Sequence, residues 1–275
     1  MSLFVTSLNS GSNGNCYYVG NQHEAVLIDG GISRRETEKR MKRLGLSMKK
    51  VKGIFVSHEH GDHIHGVPSL AKKHQLCVYA SNGTLQYGRL GLNDTRIERF
   101  KANEPVTIGN LTITAFPKFH DANDPHSFIV ASETVTVGIF TDIGSACDNV
   151  VKHFKQCHAA FLEANYDREL LIKGNYPIYL KQRIMGGKGH LSNDQAAELF
   201  VQHKPSFMSH LFLSHLSREN NRPAIVQKLF RRIAGKTSIV IASRDRETPV
   251  YQIRNSFRTS SSPSIVRSAL QLELF

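Results

Sequence analysis

At 275 residues, with 40% hydrophobic and 21% charged content, the chain can bury a sizeable core and is neither collagen-like nor wholly disordered. An excess of 35 Lys and Arg over 23 Asp and Glu, formally +12, favours an anionic partner such as nucleic acid or a membrane surface. Cys16, Cys77, Cys147 and Cys157 form no CxxC pair, and no segment approaches the roughly 18 apolar residues of a membrane span. Neither a disulfide framework nor a membrane partner is therefore expected, and the expected location is the cytoplasm.

In chain order, strands are expected at Leu3–Leu8, Cys16–Val19 and Glu24–Asp29, with the turn SGSNGN between the first two. A helix follows, opened by a capping box of Ser33 and Glu36 and stopped at Gly45. Val51–Val56 reads as a buried strand, Ile64–His74 as a helix and Leu76–Ala80 as another strand, a βαβ pattern. From Arg96 to Thr141 strands return, with a hairpin at Gly109 and Asn110 and the pair Ser127–Ala131 and Val135–Phe140. Helices are expected at Ala146–Phe154, Gln195–His203 and Pro223–Ile233, with short apolar strands such as Leu211–Ser214 between them. The sum is an α/β sandwich, two mixed sheets covered on both faces by helices. The division expected is one domain over 1–255, a linker over 256–270 marked by SFRTSSSPS, and a terminal peptide over 271–275.

The chemistry concentrates in His58-Glu59-His60-Gly61-Asp62-His63, directly after a strand. Imidazole suits zinc, iron and manganese, and carboxylate widens the choice toward harder ions. A strand end followed by a glycine-containing loop can aim His58 and His60 at one point while Asp62 and His63 diverge toward a second. A further histidine, His190, precedes a helix whose Ser192 and Gln195 form a capping box, at an end where backbone N–H groups favour an anion.

The pattern HxHxDH resembles the signature of the metallo-β-lactamase superfamily, which implies the αββα four-layer sandwich of that fold. The resemblance places further site residues at strand exits: Asp29 after AVLI, His120 after Ala115-Phe116-Pro117, Asp142 after GIFT and His215 after LFLS. It implies one metal held by His58, His60, His120 and Asp142 and a second by Asp62, His63, Asp142 and His215, with Asp142 bridging and Asp29 supporting the histidine loop from behind. Two divalent cations, Zn2+, Mn2+ or Fe, are implied. Asp62 and His190 are the candidate catalytic residues, since GHLSN resembles the histidine loop of the phosphodiesterase branch, in which this side chain meets the scissile phosphate or the leaving oxygen. Glu163, closing the strand AAFLE, holds a ligand histidine, lines the groove, or is a simple strand-terminal acid. The loop 10–15 either places backbone donors near the metals or merely turns a hairpin.

The motifs SGSNGNC, HDANDPHSF, TDIG, LEANYD, YPIYLKQRI, GHLSN and SHLSRENN, in that order, resemble the YycJ/WalJ family of metallo-β-lactamase-fold hydrolases over residues 1–253. Membership implies a 5′-to-3′ exonuclease acting on duplex DNA from an end, in replication or repair. The basic stretch from Arg218 to Arg258 would hold the backbone, with Arg218, Arg222, Arg244 and Arg246 as candidate contacts. Gln271, Leu272, Leu274 and Phe275 of the terminal QLELF resemble the peptide by which bacterial polymerases and repair proteins grip the sliding clamp. The competing readings are an RNA-processing nuclease, a thioester or lactone hydrolase with the same metals, and a non-catalytic clamp-bound accessory protein.

Overall fold

The computed structural model describes residues 1–92 and 95–255. The linker and the QLELF peptide expected beyond 255 lie outside the described residues. One sheet contains β1 (Leu3–Asn9), β2 (Cys16–Gly20), β3 (Ala25–Ile28), β4 (Val51–Phe55), β5 (Cys77–Ala80), β6 (Ile97–Arg99) and β14 (Tyr251–Ile253), in the order β14-β1-β2-β3-β4-β5-β6. The other contains β7 (Pro105–Ile108), β8 (Leu111–Pro117), β9 (His126–Ala131), β10 (Thr136–Phe140), β11 (Ala159–Glu163), β12 (His210–Ser214) and β13 (Ser238–Ile241), in the order β13-β12-β11-β10-β9-β8-β7. Each sheet passes from antiparallel pairing, at β14-β1-β2-β3 and β7-β8-β9-β10, to parallel pairing, at β3-β4-β5-β6 and β10-β11-β12-β13.

Three apolar layers follow from the period-2 alternation of the strands. In β11, Ala159 and Phe161 face the other sheet and share one apolar layer with its Tyr17 and Phe55 and with Phe128 and Phe212 of their own sheet; Ala160 and Leu162 face outward. That outward face packs on Phe154 of α5 (Asp148–Phe154), Phe200 of α8 (Asn193–His203) and Phe230 of α9 (Pro223–Ile233). The first sheet turns Leu27, Ile54 and Val78 toward Met41 of α1 (Arg34–Arg43) and Leu70 of α3 (Val67–His74). Helix, sheet, sheet, helix is therefore the layer order, and strands buried on both faces read as continuous apolar runs.

The local expectations hold with three corrections. The helix expected at Ile64–His74 is two pieces, α2 (Gly61–Ile64) and α3, because Gly66 passes so close to loop 30–32 that a Cβ there would lie 1.9 Å from the Ile32 carbonyl oxygen. The Ser33–Glu36 capping box is only half formed: Ser33 Oγ accepts from Glu36 N at 3.3 Å, while the Glu36 carboxylate accepts from Arg40 Nε at 2.8 Å. Short elements with little apolar stripe were not anticipated, namely α4 (Asn82–Tyr87), α6 (Arg168–Lys173) and α7 (Ile178–Met185). Among the described residues no helix is long and apolar enough to cross a membrane.

Candidate metal centre

Because β8 runs parallel to β10, β11 and β12, their C-terminal ends lie on one edge of the second sheet, facing the exits of β3 and β4. Donor side chains stand at these exits. Asp29, Asp142 and His215 each adopt a left-handed backbone there, with φ of 61°, 54° and 55°. Such φ values are uncommon outside glycine and concentrate at functional sites.

The seven side chains expected as ligands converge. His58 Nε2 lies 3.1 Å from His60 Nδ1, and the His58 ring centroid is 4.9 Å from that of His120. On the other side, His63 Nε2 lies 3.1 Å from Asp142 Oδ2 and 3.6 Å from Asp62 Oδ2, and His215 Nε2 lies 3.6 Å from Asp62 Oδ2. The Asp142 carboxylate sits between the halves, with Oδ1 3.9 Å from His120 Nε2 and 3.5 Å from His215 Nε2. Donor groupings with metal-ligand spacing include His58 with His60 and His120, His58 with His63 and Asp142, and Asp62 with His63 and His215. Glu59, in the midst of the motif, is not among them: its Oε1 accepts from the backbone and side-chain nitrogens of Asn123 at 2.8 and 2.6 Å.

What aims the imidazoles is the partner of each second nitrogen. His63 Nδ1 meets Asp29 Oδ2 at 2.8 Å, and the same carboxylate accepts from Ser57 N and Ser57 Oγ. His58 Nδ1 meets Ser57 Oγ at 2.9 Å, His120 Nδ1 donates to the Gly189 carbonyl at 3.0 Å, and His215 Nδ1 lies 3.1 Å from Glu163 Oε1. In each case Nε2 is left pointing inward, the arrangement that prepares an imidazole for a metal.

These residues fit divalent cations on two further grounds. Three buried atoms around the Asp142 carboxylate, His120 Nε2, His215 Nε2 and Asp142 Oδ2, have no hydrogen-bond partner, a costly state for a buried polar atom unless something else binds it. The electrostatics are also those of a cation site. Burial lowers His58 far below its usual value and His120 to about 4, so both are neutral lone-pair donors. Burial opposes ionisation of Asp142, yet His215 and His63 hold it well below the usual carboxylate range. Against burial, Asp142, Asp62 and Glu163 raise His215 to about 10, and Asp142, Asp29 and Asp62 raise His63.

Glu163 is fully buried and collects four groups. Its Oε1 accepts from His190 Nδ1 at 2.7 Å and faces His215 Nδ1; its Oε2 accepts from Ile143 N at 2.7 Å and Leu191 N at 3.2 Å. Its pKa falls to about 2, burial being outweighed by His190 and His215. The Ser192–Gln195 capping box is complete, so His190 enters α8 from a defined turn. Of the basic candidates, Arg218, Arg222 and Arg246 are exposed, and Arg222 Nη1 also donates to the carbonyls of Arg218, Glu219 and Asn221 and so braces its own loop. Arg244 is half-buried, its carbonyl accepting from Asn13 Nδ2 at 2.8 Å.

Two asparagines escaped the sequence reading. Asn15 Nδ2 lies 3.2 Å from Asp62 Oδ2 and 3.1 Å from His63 Nε2, so loop 10–15 reaches the site through a side chain. Asn165 Nδ2 donates to the His215 carbonyl at 2.8 Å. The signal available was their position inside SGSNGNC and LEANYD; asparagine itself, as a common turn residue, is a weak marker.

A profile of the Beta-lactamase superfamily domain matches residues 24–215. Among characterised proteins, the chain is 34% identical to exodeoxyribonuclease YycJ of Bacillus anthracis over 226 residues, 80% of this chain and 85% of that protein. It is 32% identical to exodeoxyribonuclease WalJ of Streptococcus pneumoniae serotype 2, over 78% of this chain and 81% of the relative. The fold is that of the metallo-β-lactamase fold protein YhfI from Bacillus subtilis, with a TM-score of 0.71 at 18% identity over 92% of this chain and all of the other.

Proposed function

We infer that this chain, which belongs to the β-lactamase superfamily and within it to the YycJ/WalJ exonucleases, is a two-metal phosphodiesterase that digests duplex DNA from a 5′ end. The observation that carries the reading is the convergence of seven nitrogen and oxygen donors, with three buried atoms lacking partners, beside a histidine fixed by a buried glutamate.

In this reading His58, His60, His120 and Asp142 hold one cation and Asp62, His63, Asp142 and His215 the other. The native pair is zinc or manganese, or iron. Such cations supply Lewis-acid neutralisation of a phosphodiester and lower the pKa of water. Asp29 and Ser57 orient the histidine loop. Asp62 combines ligation with placement of the attacking side. His190, its Nδ1 committed to Glu163, has Nε2 left to donate a proton to the leaving oxygen.

Beyond the site, Arg218, Arg244 and Arg246 would hold the phosphate backbone, with Arg222 shaping the loop that carries Arg218. The catalytic domain ends at 255, and 256–270 tethers Gln271, Leu272, Leu274 and Phe275 to a bacterial-type sliding clamp. The work is cytoplasmic and belongs to DNA replication or repair.

The deciding experiment incubates the protein, with manganese or zinc, with end-labelled single-stranded and duplex DNA and RNA. Metal-dependent shortening of duplex DNA from the 5′ end is expected, and Asp142→Ala should abolish it while duplex binding stays nearly intact. Cleavage of a simple thioester without any loss of nucleic acid would contradict the reading, as would cleavage by Asp142→Ala. Deleting 271–275 should abolish clamp binding and spare digestion of free DNA.

A further inference from the structure

Next to the metal cluster opens a cavity of about 200 Å³, on which both His190 and His215 border. Part of its lining comes from α7 and the turn before it. Tyr176, Leu180 and Ile184 present an aromatic ring and two aliphatic side chains, and Arg183 stands beside them with Nε bonded to Asp121. Two chemistries thus meet in one hollow: an aromatic ring with two aliphatic side chains, and the imidazoles of His190 and His215 with a guanidinium.

The wall helix is unusual for this molecule. No side chain of α7 is buried, and Ile178, Tyr179 and Met185 are exposed, as is Phe119 next to His120. The helix is moored at its end by His190 N donating to the Ile184 carbonyl at 2.9 Å, and by the Arg183–Asp121 pair. A helix that adds nothing to the core and turns apolar side chains to solvent beside a site marks a surface made for a ligand.

We propose that this cavity receives the terminal nucleotide of the DNA strand, with its base stacked on Tyr176 between Leu180 and Ile184, Arg183 facing the strand's phosphates, and the scissile linkage at the cluster. A nucleotide carries the matching features, a π-face of any base identity and an anionic phosphate, and base–aromatic stacking is tolerant of sequence, as digestion from an end requires. The inference rests on the nuclease reading but is separable from it.

The test measures binding and digestion on the same metal-loaded preparations of the wild type, Tyr176→Ala and Tyr176→Phe. Wild type should bind thymidine 5′-monophosphate at least about tenfold more tightly than 2-deoxyribose 5-phosphate in titration calorimetry, a ratio within reach of one stacked base. Tyr176→Ala should bring the two affinities within about twofold of each other, and Tyr176→Phe, which keeps the ring, should preserve the preference. Equal affinities in the wild type, or an unchanged preference in Tyr176→Ala, overturn the pocket even if end-labelled duplex is digested. A Tyr176-dependent preference without digestion of any nucleic acid leaves the nucleotide pocket standing and overturns the nuclease reading instead.

Discussion

His190 and Glu163 are joined by a hydrogen bond of 2.7 Å from Nδ1 to Oε1, and the same oxygen lies 3.1 Å from His215 Nδ1. One buried carboxylate therefore orients a candidate acid and a candidate ligand together, while its other oxygen ties down the backbone at Ile143 and Leu191.

Glu163→Gln replaces one acceptor oxygen by an amide donor, so it cannot serve both the two imidazoles at one oxygen and the backbone N–H groups of Ile143 and Leu191 at the other. Digestion should slow and metal affinity should fall, each by about 10–100-fold, the usual range for a residue that orients a ligand. A competition titration against a metallochromic chelator reads the affinity, and a wild-type value there would exclude the orienting role.

Metal addition should stabilise the fold and release protons. Saturation at about a hundred times Kd corresponds to roughly 2.7 kcal/mol, or about 5–10 °C in melting temperature at this size. The pKa of His215 is raised to about 10 and that of His63 is raised as well. Their protonated forms stabilise the metal-free fold below the unfolded imidazole value of about 6.5, and that contribution is lost as pH rises toward 10. Cation binding must displace these protons, so metal stabilisation should grow across that window. Calorimetry at pH 7.5 in buffers of different ionisation enthalpy should find roughly two protons released per chain; no release, or a melting temperature indifferent to chelator, would refute the site.

Gly31→Ala should be among the most damaging single-methyl changes. A Cβ there would lie 1.7 Å from the Asp62 carbonyl oxygen and 2.6 Å from Asn15 N, both backbone atoms. Overpacking of this kind costs about 1–3 kcal/mol, a fall of roughly 3–10 °C, and it would displace the loop that carries Asp62 and His63. A thermal melt within a degree of wild type would show that the loop has slack.

Far from the site, Arg43 on α1 grips Glu247 with two hydrogen bonds of 2.7 Å, and that hydrogen bond, with burial opposing, holds the Glu247 carboxyl below its usual value. A lowered carboxyl stabilises fully above its unfolded pKa, and the contribution is lost progressively as pH falls through the folded one. Glu247→Gln should therefore lower the melting temperature by about 1–3 °C at pH 7, in line with the modest worth of a surface ion pair, and by much less at pH 3.5. An equal loss at both values would assign the effect to packing.

The layered fold and the ligand loop were legible in the chain because their signals are local. Apolar alternation marks β8, continuous apolar runs mark β11 and β12, and HxHxDH packs its donors into one short loop. The Ser192–Gln195 box formed as read, since Asn193 opens α8 directly after it; at Ser33 the same spacing gave half a box because Arg40, one turn on, competes for Glu36. The edge strands β13 and β14, of four and three residues, and the short α6 and α7 carry too little periodicity to be read that way.

Composition and motif order by themselves determined that this chain gathers imidazoles and carboxylates at strand exits within an α/β sandwich. Only the tertiary structure decided which nitrogen of each imidazole faces inward, because that depends on partners such as Gly189, 69 positions from His120, and Glu163, 52 from His215. It alone withdrew Glu59 from the cluster and bound Arg222 to its own loop. Hydrogen-bond partners are chosen by proximity in space, which the chain encodes through packing of the whole molecule and in no single stretch of it.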